Sequence, residues 1–255
     1  SGPLAVQHLS TDGYIDNLTL GKDSPRTEKW SYRGSLRYEI NDSLSASIKY
    51  QGGTKRGISV ATKGRGVLDP MTGTRCSVAE IDRYQCANAL GTVNVNDDTT
   101  EAHNNFEPEL DAEYNAFMAR FDWDLSDNMT LTSISSFDKT ASNLGADSDG
   151  SSDEILTIMF DDESEQFSQE IRLAGDGENN NWVVGVYYLK DDTDGESYAS
   201  LLGQLAPFVT LPEALTGISD VAALSILAAT WTFEQKITSY AVFGQYELDI
   251  SSDLH

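Results

Sequence analysis

Histidine is scarce in this chain, with three among 255 residues, at His8, His103 and His255. None falls in an H-E-x-x-H pattern, and the sequence holds no G-x-S-x-G and no P-loop, so hydrolytic and nucleotide-dependent chemistry finds no motif to rest on. His103, near Glu101 and Glu107, reads as a surface residue of a polar loop. No catalytic, cofactor or metal residue is nominated, and the expectation is a protein that is not an enzyme. Basic residues are few as well: 17 Lys and Arg stand against 41 Asp and Glu, a net charge of −24. Such a chain repels phosphate backbones, so no nucleic-acid partner is expected. A membrane helix requires about 20 apolar residues in a row, and none is found. The richest region, Gly203–Thr230, is interrupted by Pro207, Pro212, Glu213 and Asp220. Within it Val221, Leu224, Leu227 and Ala228 fall at helical spacing, which predicts a short helix or two inside a loop. The start, SGPLAVQHLS, lacks the basic-then-apolar order of a secretion signal.

Cysteine occurs twice, at Cys76 and Cys86, in GTRCSVAEIDRYQC. No CxxC and no neighbouring His pair supplies further zinc ligands. A local disulfide pinning a polar loop is preferred to two free thiols, and it implies an oxidising compartment.

What the chain has in quantity is alternation. In WSYRGSLRYEINDSLSASIKY, one series reads Trp30, Tyr32, Gly34, Leu36, Tyr38, Ile40 and the other Ser31, Arg33, Ser35, Arg37, Glu39. Asn41-Asp42-Ser43 turns the chain through local side-chain hydrogen bonds. The return strand sets Leu44, Ala46, Ile48 and Tyr50 against Ser45, Ser47, Lys49 and Gln51. The pattern recurs in AFMARFDWDL, MTLTSISSF, QFSQEIRLAG, WVVGVYYLK and SYAVFGQYELDI, giving seven good strands and a weak one near Leu4–His8. Tight turns at 41–43, 126–128, 175–181 and 251–253 lie at one end; long connections, 52–111, 139–163 and 190–236, lie at the other. Aromatics near strand ends, Trp30, Trp123, Trp182 and Tyr188, suit the boundary of a hydrocarbon layer.

Two architectures alternate in this way. One is a soluble sandwich with a dry face; the other is a barrel wall between lipid and a wet lumen. Long connections are uncommon in compact sandwiches. The polar series also mixes both signs: Arg33, Arg37, Glu39, Lys49, Arg120, Asp122, Asp124, Glu170 and Arg172 are candidates to line a lumen. The expected fold class is all-β, an antiparallel transmembrane β-barrel segment of about seven to eight strands with long outer loops, one carrying short helices.

Four stretches resemble TonB-dependent receptors of Gram-negative bacteria: DGYIDNLTLGKD with YRGSLRYEINDSLSASIKY, then MARFDWDLSDNMTLTSISSF, FSQEIRLAGDGENNNWVVGVYYLKD and SYAVFGQYELDISSDL. The third carries most weight, with Gln169–Leu173 matching a QEIRL strand and Trp182–Tyr188 a W-x-x-G-x-Y-Y strand. The resemblance implies a barrel of about 22 strands filled by a plug. It also implies contact with outer-membrane lipid, uptake of a scarce, bulky extracellular ligand such as a siderophore or oligosaccharide, and coupling to the TonB–ExbB–ExbD motor through the plug. No cofactor is implied. Residues 1–255 would form part of a single barrel domain, without the plug, the TonB box and the remaining strands. A small closed outer-membrane barrel and a secreted β-rich binding protein, such as an adhesin or glycan binder, remain as alternatives.

Other features read as structural. The acidic stretches ADSDGSSDE and FDDESE could attract Ca²⁺, yet an EF-hand alignment places Gly145 at its first ligand position and Leu156 at its last, so a solvated acidic loop is preferred. Gly52, Gly53, Gly64 and Gly66, near Lys63 and Arg65, lack the strand-to-helix setting of a phosphate loop. Sequons at Asn17, Asn41 and Asn128 are of the number chance supplies. Trp231 and Phe233 are read as a strand-end girdle in preference to ligand-stacking rings.

Overall fold

The computed structural model describes residues 2–59, 61–94, 98–201 and 228–249. In chain order the elements are β1 (Leu4–Thr11), β2 (Ile15–Asn17), β3 (Lys22–Ser24), β4 (Arg26–Asn41), β5 (Leu44–Ile58), α1 (Val78–Asp82), β6 (Glu101–Ala102), β7 (Glu109–Ser126), β8 (Met129–Asp147), β9 (Leu156–Asp176), β10 (Asn180–Leu201) and β11 (Ala228–Leu248). Eight of these make one sheet in the order β1-β4-β5-β7-β8-β9-β10-β11. Every pairing in it is antiparallel. Strands of 21 or 22 residues, as in β9 and β10, reach about 70 Å if fully extended, which is far longer than the usual globular strand.

Turn residues set the register at the tight end through one side-chain bond and two backbone bonds. Ser43 N–H donates to Asn41 Oδ1 (2.9 Å), and Asp124 N–H donates to Ser43 O (2.8 Å), tying the first hairpin to its neighbour. Asp176 N–H reaches Asn128 O (3.1 Å) in the same way across the next pair. Because the side-chain period is two, fixing one turn fixes the face of every residue along the strand.

The connections are shorter than the sequence suggests. The acidic segment expected to join two strands over 139–163 is strand at both ends, since β8 runs on to Asp147 and β9 begins at Leu156. FDDESE therefore lies within β9. Segment 190–236 is strand to Leu201 and again from Ala228. The helix expected at Val221, Leu224 and Leu227 lies outside the described residues, and Ala228 opens β11. The weak strand at Leu4–His8 is a full member of the sheet. Polar, charged composition concealed these extensions, because their backbone is satisfied by neighbouring strands whatever the side chains are.

The sheet is open. Among the described residues β1 and β11 are its edges and are not paired with each other, so the eight strands do not form the small closed barrel held as an alternative.

Residues 12–25, 61–94 and 98–108 form a cap at the loop end. There β3, β2 and β6 make a small second sheet. Glu107 anchors it, accepting from Lys22 Nζ (2.7 Å) and Arg26 Nη2 (2.9 Å). Cys76 and Cys86 are bonded, with Cα atoms 6.4 Å apart, as the composition predicted. Between them α1 starts on a cap in which Ser77 N–H (2.8 Å) and Oγ (2.6 Å) both donate to Glu80 Oε2. Fully buried side chains collect in this cap: Cys86, Ala102 and Asn104 are 1 to 2 % exposed, whereas the long sheet offers few. The dry centre is thus small, polar and displaced from the middle of the sheet.

Candidate functional site

Directly opposed residues of an antiparallel pair share a face, so the registers sort every side chain. One face carries Leu4, Val6, Trp30, Tyr32, Leu36, Tyr38, Ile48, Tyr50, Phe117, Phe121, Trp123, Leu131, Phe137, Phe167, Ile171, Leu173, Trp182, Val184, Val186, Tyr188, Tyr240, Val242 and Tyr246. The other carries Arg33, Arg37, Glu39, Lys49, Arg120, Asp122, Asp124, Glu170 and Arg172, the full set of residues singled out for their charge.

Accessibility separates the faces too. On the apolar face Trp123, Phe121 and Val186 are 47 to 50 % exposed; on the polar face Ser45, Ala116, Thr132 and Ser197 are 4 to 8 %. Side chains crowd on the inside of a curved sheet and splay on the outside, so the polar face is the concave one. Apolar rings on the convex, open side reverse the arrangement of a soluble half-sheet, whose apolar face is the covered one.

The polar face is a web of charge-assisted contacts. Arg120 grips Asp122 through Nε and Nη2 at 2.8 to 3.0 Å, and Thr132 Oγ1 donates to the same carboxylate (2.8 Å). Arg37 donates to Glu39 (2.8 Å) and to Ser45 Oγ (3.3 Å). Arg172 lies 3.5 Å from Glu170, and Thr130 Oγ1 donates to Asp124 (2.7 Å). These pairs are partly wet, and each contributes about 0–1 kcal/mol; together they hold a hydrated surface in one arrangement. Among the described residues no carboxylate lies within ion-pair reach of Arg33 or Lys49. Lys29 and Lys55, which motif reading passed over, oppose each other directly on this same face. Their shared parity with Arg33 is the signal that finds them.

Along the convex face the chemistry changes abruptly. Apolar residues end at Trp30, Tyr50, Phe117, Phe137, Phe167, Tyr188 and Tyr240, and the next positions of the same parity toward the loop end include Asn115, Lys139, Glu165, Lys190 and Asp192. Polar groups begin at this boundary: the hydroxyls of Tyr32 (2.8 Å) and Tyr50 (2.7 Å) both donate to Asn115 Oδ1. The boundary runs obliquely. Following the register back from Tyr240 through Tyr188, Gln169, Ser135, Ala119 and Ile48 reaches Leu36, six residues from Trp30. Six residues at ~3.3 Å along the strand, over six inter-strand spacings of ~4.8 Å, give a slope of about 35°. That slope falls within the tilt of strands in membrane barrels, roughly 35–45°.

Beyond the boundary the convex face is acidic, with Asp161, Glu163, Asp194, Glu196 and Glu234 lining an open trough of about 670 Å³. Trp231 and Phe233 do not form a girdle. They pair with Ser197 and Gly195 and therefore lie on the concave face, past the apolar band. Parity against Tyr240 and Val242 reveals this, whereas nearness to a loop end does not.

In the cap, Glu80 is held below the ordinary carboxylate range by the Ser77 hydroxyl and N–H, and Asp69 by the N–H groups of Thr72 and Met71. The loop ADSDGSSDE is not a solvated run of charge as composition suggested: Asp147 and Ser151 are 2 and 3 % exposed. Among the described residues no group of three His, Cys, Asp or Glu side chains is spaced to hold a metal. His103 joins no such constellation, and Glu107 is engaged by Lys22 and Arg26.

No protein-family model and no curated protein matches the chain. Solved structures similar to it include the ferric yersiniabactin uptake receptor FyuA from Yersinia pestis, at a TM-score of 0.51 and 13 % identity over 96 % of this chain and 39 % of that one. The RagAB peptide importer in its closed-closed state is similar over 88 % of this chain and 26 % of its own, at a TM-score of 0.46 and 12 % identity. The chain spans well under half the length of either, and the first likeness is one of fold.

Proposed function

We propose that this sheet is part of the wall of an outer-membrane β-barrel that imports a scarce, bulky ligand, with an iron–siderophore complex as the first candidate. The observation that carries the reading is the pairing of a splayed apolar band, bounded by an aromatic line sloping at about 35°, with a concave ionic face. A backbone in hydrocarbon must have every hydrogen bond satisfied, so the edges at β1 and β11, unpaired among the described residues, call for further strands of the same barrel. A barrel of about 22 strands, as the family resemblance implies, has a lumen that needs filling, and a plug coupling to TonB–ExbB–ExbD is the proposed occupant; the cations at Lys29, Arg33, Lys49 and Lys55 suit an interior element that brings carboxylates. Passage, not catalysis, is the proposed work.

The test uses the complete protein in its native bacterium. Deleting the gene is expected to remove TonB-dependent accumulation of one ferric siderophore from a panel, and the protein is expected in the detergent-extracted outer-membrane fraction. Recovery of the protein in the soluble fraction defeats the membrane assignment. A membrane location with unaltered uptake across siderophores, oligosaccharides and peptides defeats the transport assignment alone.

A further inference from the structure

We infer that a groove on the concave face, running from Lys29 and Lys55 to Arg33, binds a small elongated molecule that carries an anionic group, carboxylate or phosphate, at each end. As a contact made by the imported ligand it rests on the transport reading; the binding itself is measured without uptake.

Register builds the groove. Lys29, Lys55 and Ser142 share one row of the concave face, and Ser31, Gly53 and Tyr114 share the next row toward the turn end. A cavity of about 440 Å³ lies between these rows. A second, of about 320 Å³, continues toward Arg33 and Gln51, and Ser31, Gly52 and Tyr114 line both. Gly53 adds no side chain to the floor. The Tyr114 ring is fixed where the cavities meet, its hydroxyl accepting from Gln51 Nε2 (3.2 Å) and donating to Asp138 Oδ1 (3.1 Å). Lys29 and Arg33 stand about 13 Å apart along the strand, and the two volumes are those of a small-molecule site.

Charge selects the occupant. Lys29 and Lys55 oppose each other directly, which sets their Cβ atoms about 5 Å apart, and like charges so placed repel. Among the described residues no carboxylate lies within ion-pair reach of either, or of Arg33. Among those residues Glu113 is the only acid lining the two cavities, and its side chain lies on the convex face, where Asn115 Nδ2 donates to it (2.7 Å). Asp138 is engaged by Tyr114 and by Ser136 Oγ (2.7 Å). A chain of net charge −24 thus sets three of its 17 basic residues around a groove into which none of these acids turns. An anion between the lysines gains two charge-assisted bonds, and the Arg33 guanidinium offers a fork to a second anion at the far end. A protein element packed on this wall would meet the whole basic strip, yet Lys49, its next cation, lies outside both cavities. The cavities favour a small molecule.

Calorimetric titration of the full-length protein in a neutral detergent with sebacate, a linear dicarboxylate, tests the groove, with the monoamide and the diamide of the same chain alongside. One sebacate per protein is expected, with the monoamide about tenfold weaker for the loss of one charge-assisted contact, and the diamide not bound. Arg33→Gln is expected to bring sebacate down to the level of the monoamide, while Lys29→Gln and Lys55→Gln each weaken both. Lys190→Gln, on the convex face, leaves binding unchanged. The three groove positions are exposed, so these variants keep the fold. The proposal is overturned if the wild-type protein does not bind sebacate, or binds the diamide equally, which would assign the heat to apolar contact. It is overturned as well if Lys29→Gln with Lys55→Gln leaves binding intact, or if sebacate binds only after the interior element is deleted, which would make that element the occupant. Uptake lost on gene deletion without sebacate binding overturns the groove and leaves transport standing; binding as expected with unaltered uptake upholds the anion site and overturns the import reading.

Discussion

Val186 offers the sharpest test of which side of the sheet meets lipid. It lies two residues from Tyr188 at the aromatic boundary and four from Trp182 toward the turn end, in the middle of the apolar band, and is 49 % exposed with Ile171 and Val242 beside it. On the proposed membrane reading, an arginine here would point into the centre of the hydrocarbon, at a cost of about 2–4 kcal/mol. At 1.4 kcal/mol per decade, 3 kcal/mol lowers the folding equilibrium constant by roughly 150-fold. Leu189→Arg, three positions on but on the concave face, should cost under about 1 kcal/mol, because the group enters a wet interior. Asp194→Arg, on the convex face beyond the boundary, should likewise cost about 0–1 kcal/mol. Val186→Trp separates lipid from protein as the neighbour. Acyl chains yield to a larger side chain, whereas overpacking against a second protein layer costs roughly 1–3 kcal/mol. Urea titration in phospholipid vesicles, followed by tryptophan fluorescence, reads all four variants. Equal costs for Val186→Arg and Leu189→Arg, or a tryptophan as damaging as the arginine, would refute the assignment of faces.

Further outcomes follow from other parts of the molecule. Gly195→Ala should destabilise by about 1–3 kcal/mol, since the added Cβ meets the Phe233 ring and lies 2.6 Å from Asp162 Oδ1; Phe233→Leu in the same background should restore much of the loss, as denaturant titration would reveal. Reduction, or Cys76→Ser, removes a closure over 10 residues that constrains the unfolded loop by about 2.7 kcal/mol; proteolytic nicking within 62–94 should appear while the sheet's protection in hydrogen exchange is unchanged. Glu80 has a folded-state pKa below its ordinary value, so its contribution to the start of α1 is present above pH 4.5 and fades as pH falls through the lower folded value. Hydrogen exchange over 77–84 should accelerate in that acid window, and Glu80→Gln should abolish the pH dependence.

The strands of the apolar band were legible because a period of two is printed directly in the side chains, as in Trp182, Val184, Val186 and Tyr188. The faces of Arg33, Arg120 and Asp122 followed from the same parity. Strand ends were not legible. At Glu163, Glu165, Asp192 and Asp194 both faces are polar, so no contrast marks a strand that only its hydrogen-bonded neighbours define. Trp231 and Phe233 misled because residue type was weighed above parity. The burial of Asp147 was invisible for a different reason: Asn104, which covers it through Thr62, comes from a segment some 40 residues away, and burial of a loop acid depends on what folds over it.

The abruptness of the convex boundary has a mechanical consequence. If the band lies in a bilayer, as proposed, raising or lowering the molecule by one residue pair would either strip rings such as Phe167 and Tyr188 of oily surroundings or submerge Glu165, Lys139 and Lys190 among acyl tails. In the proposed membrane setting vertical drift is therefore penalised in both directions, and the height at which the disulfide-pinned cap would stand above the bilayer is set by side-chain chemistry many residues below it.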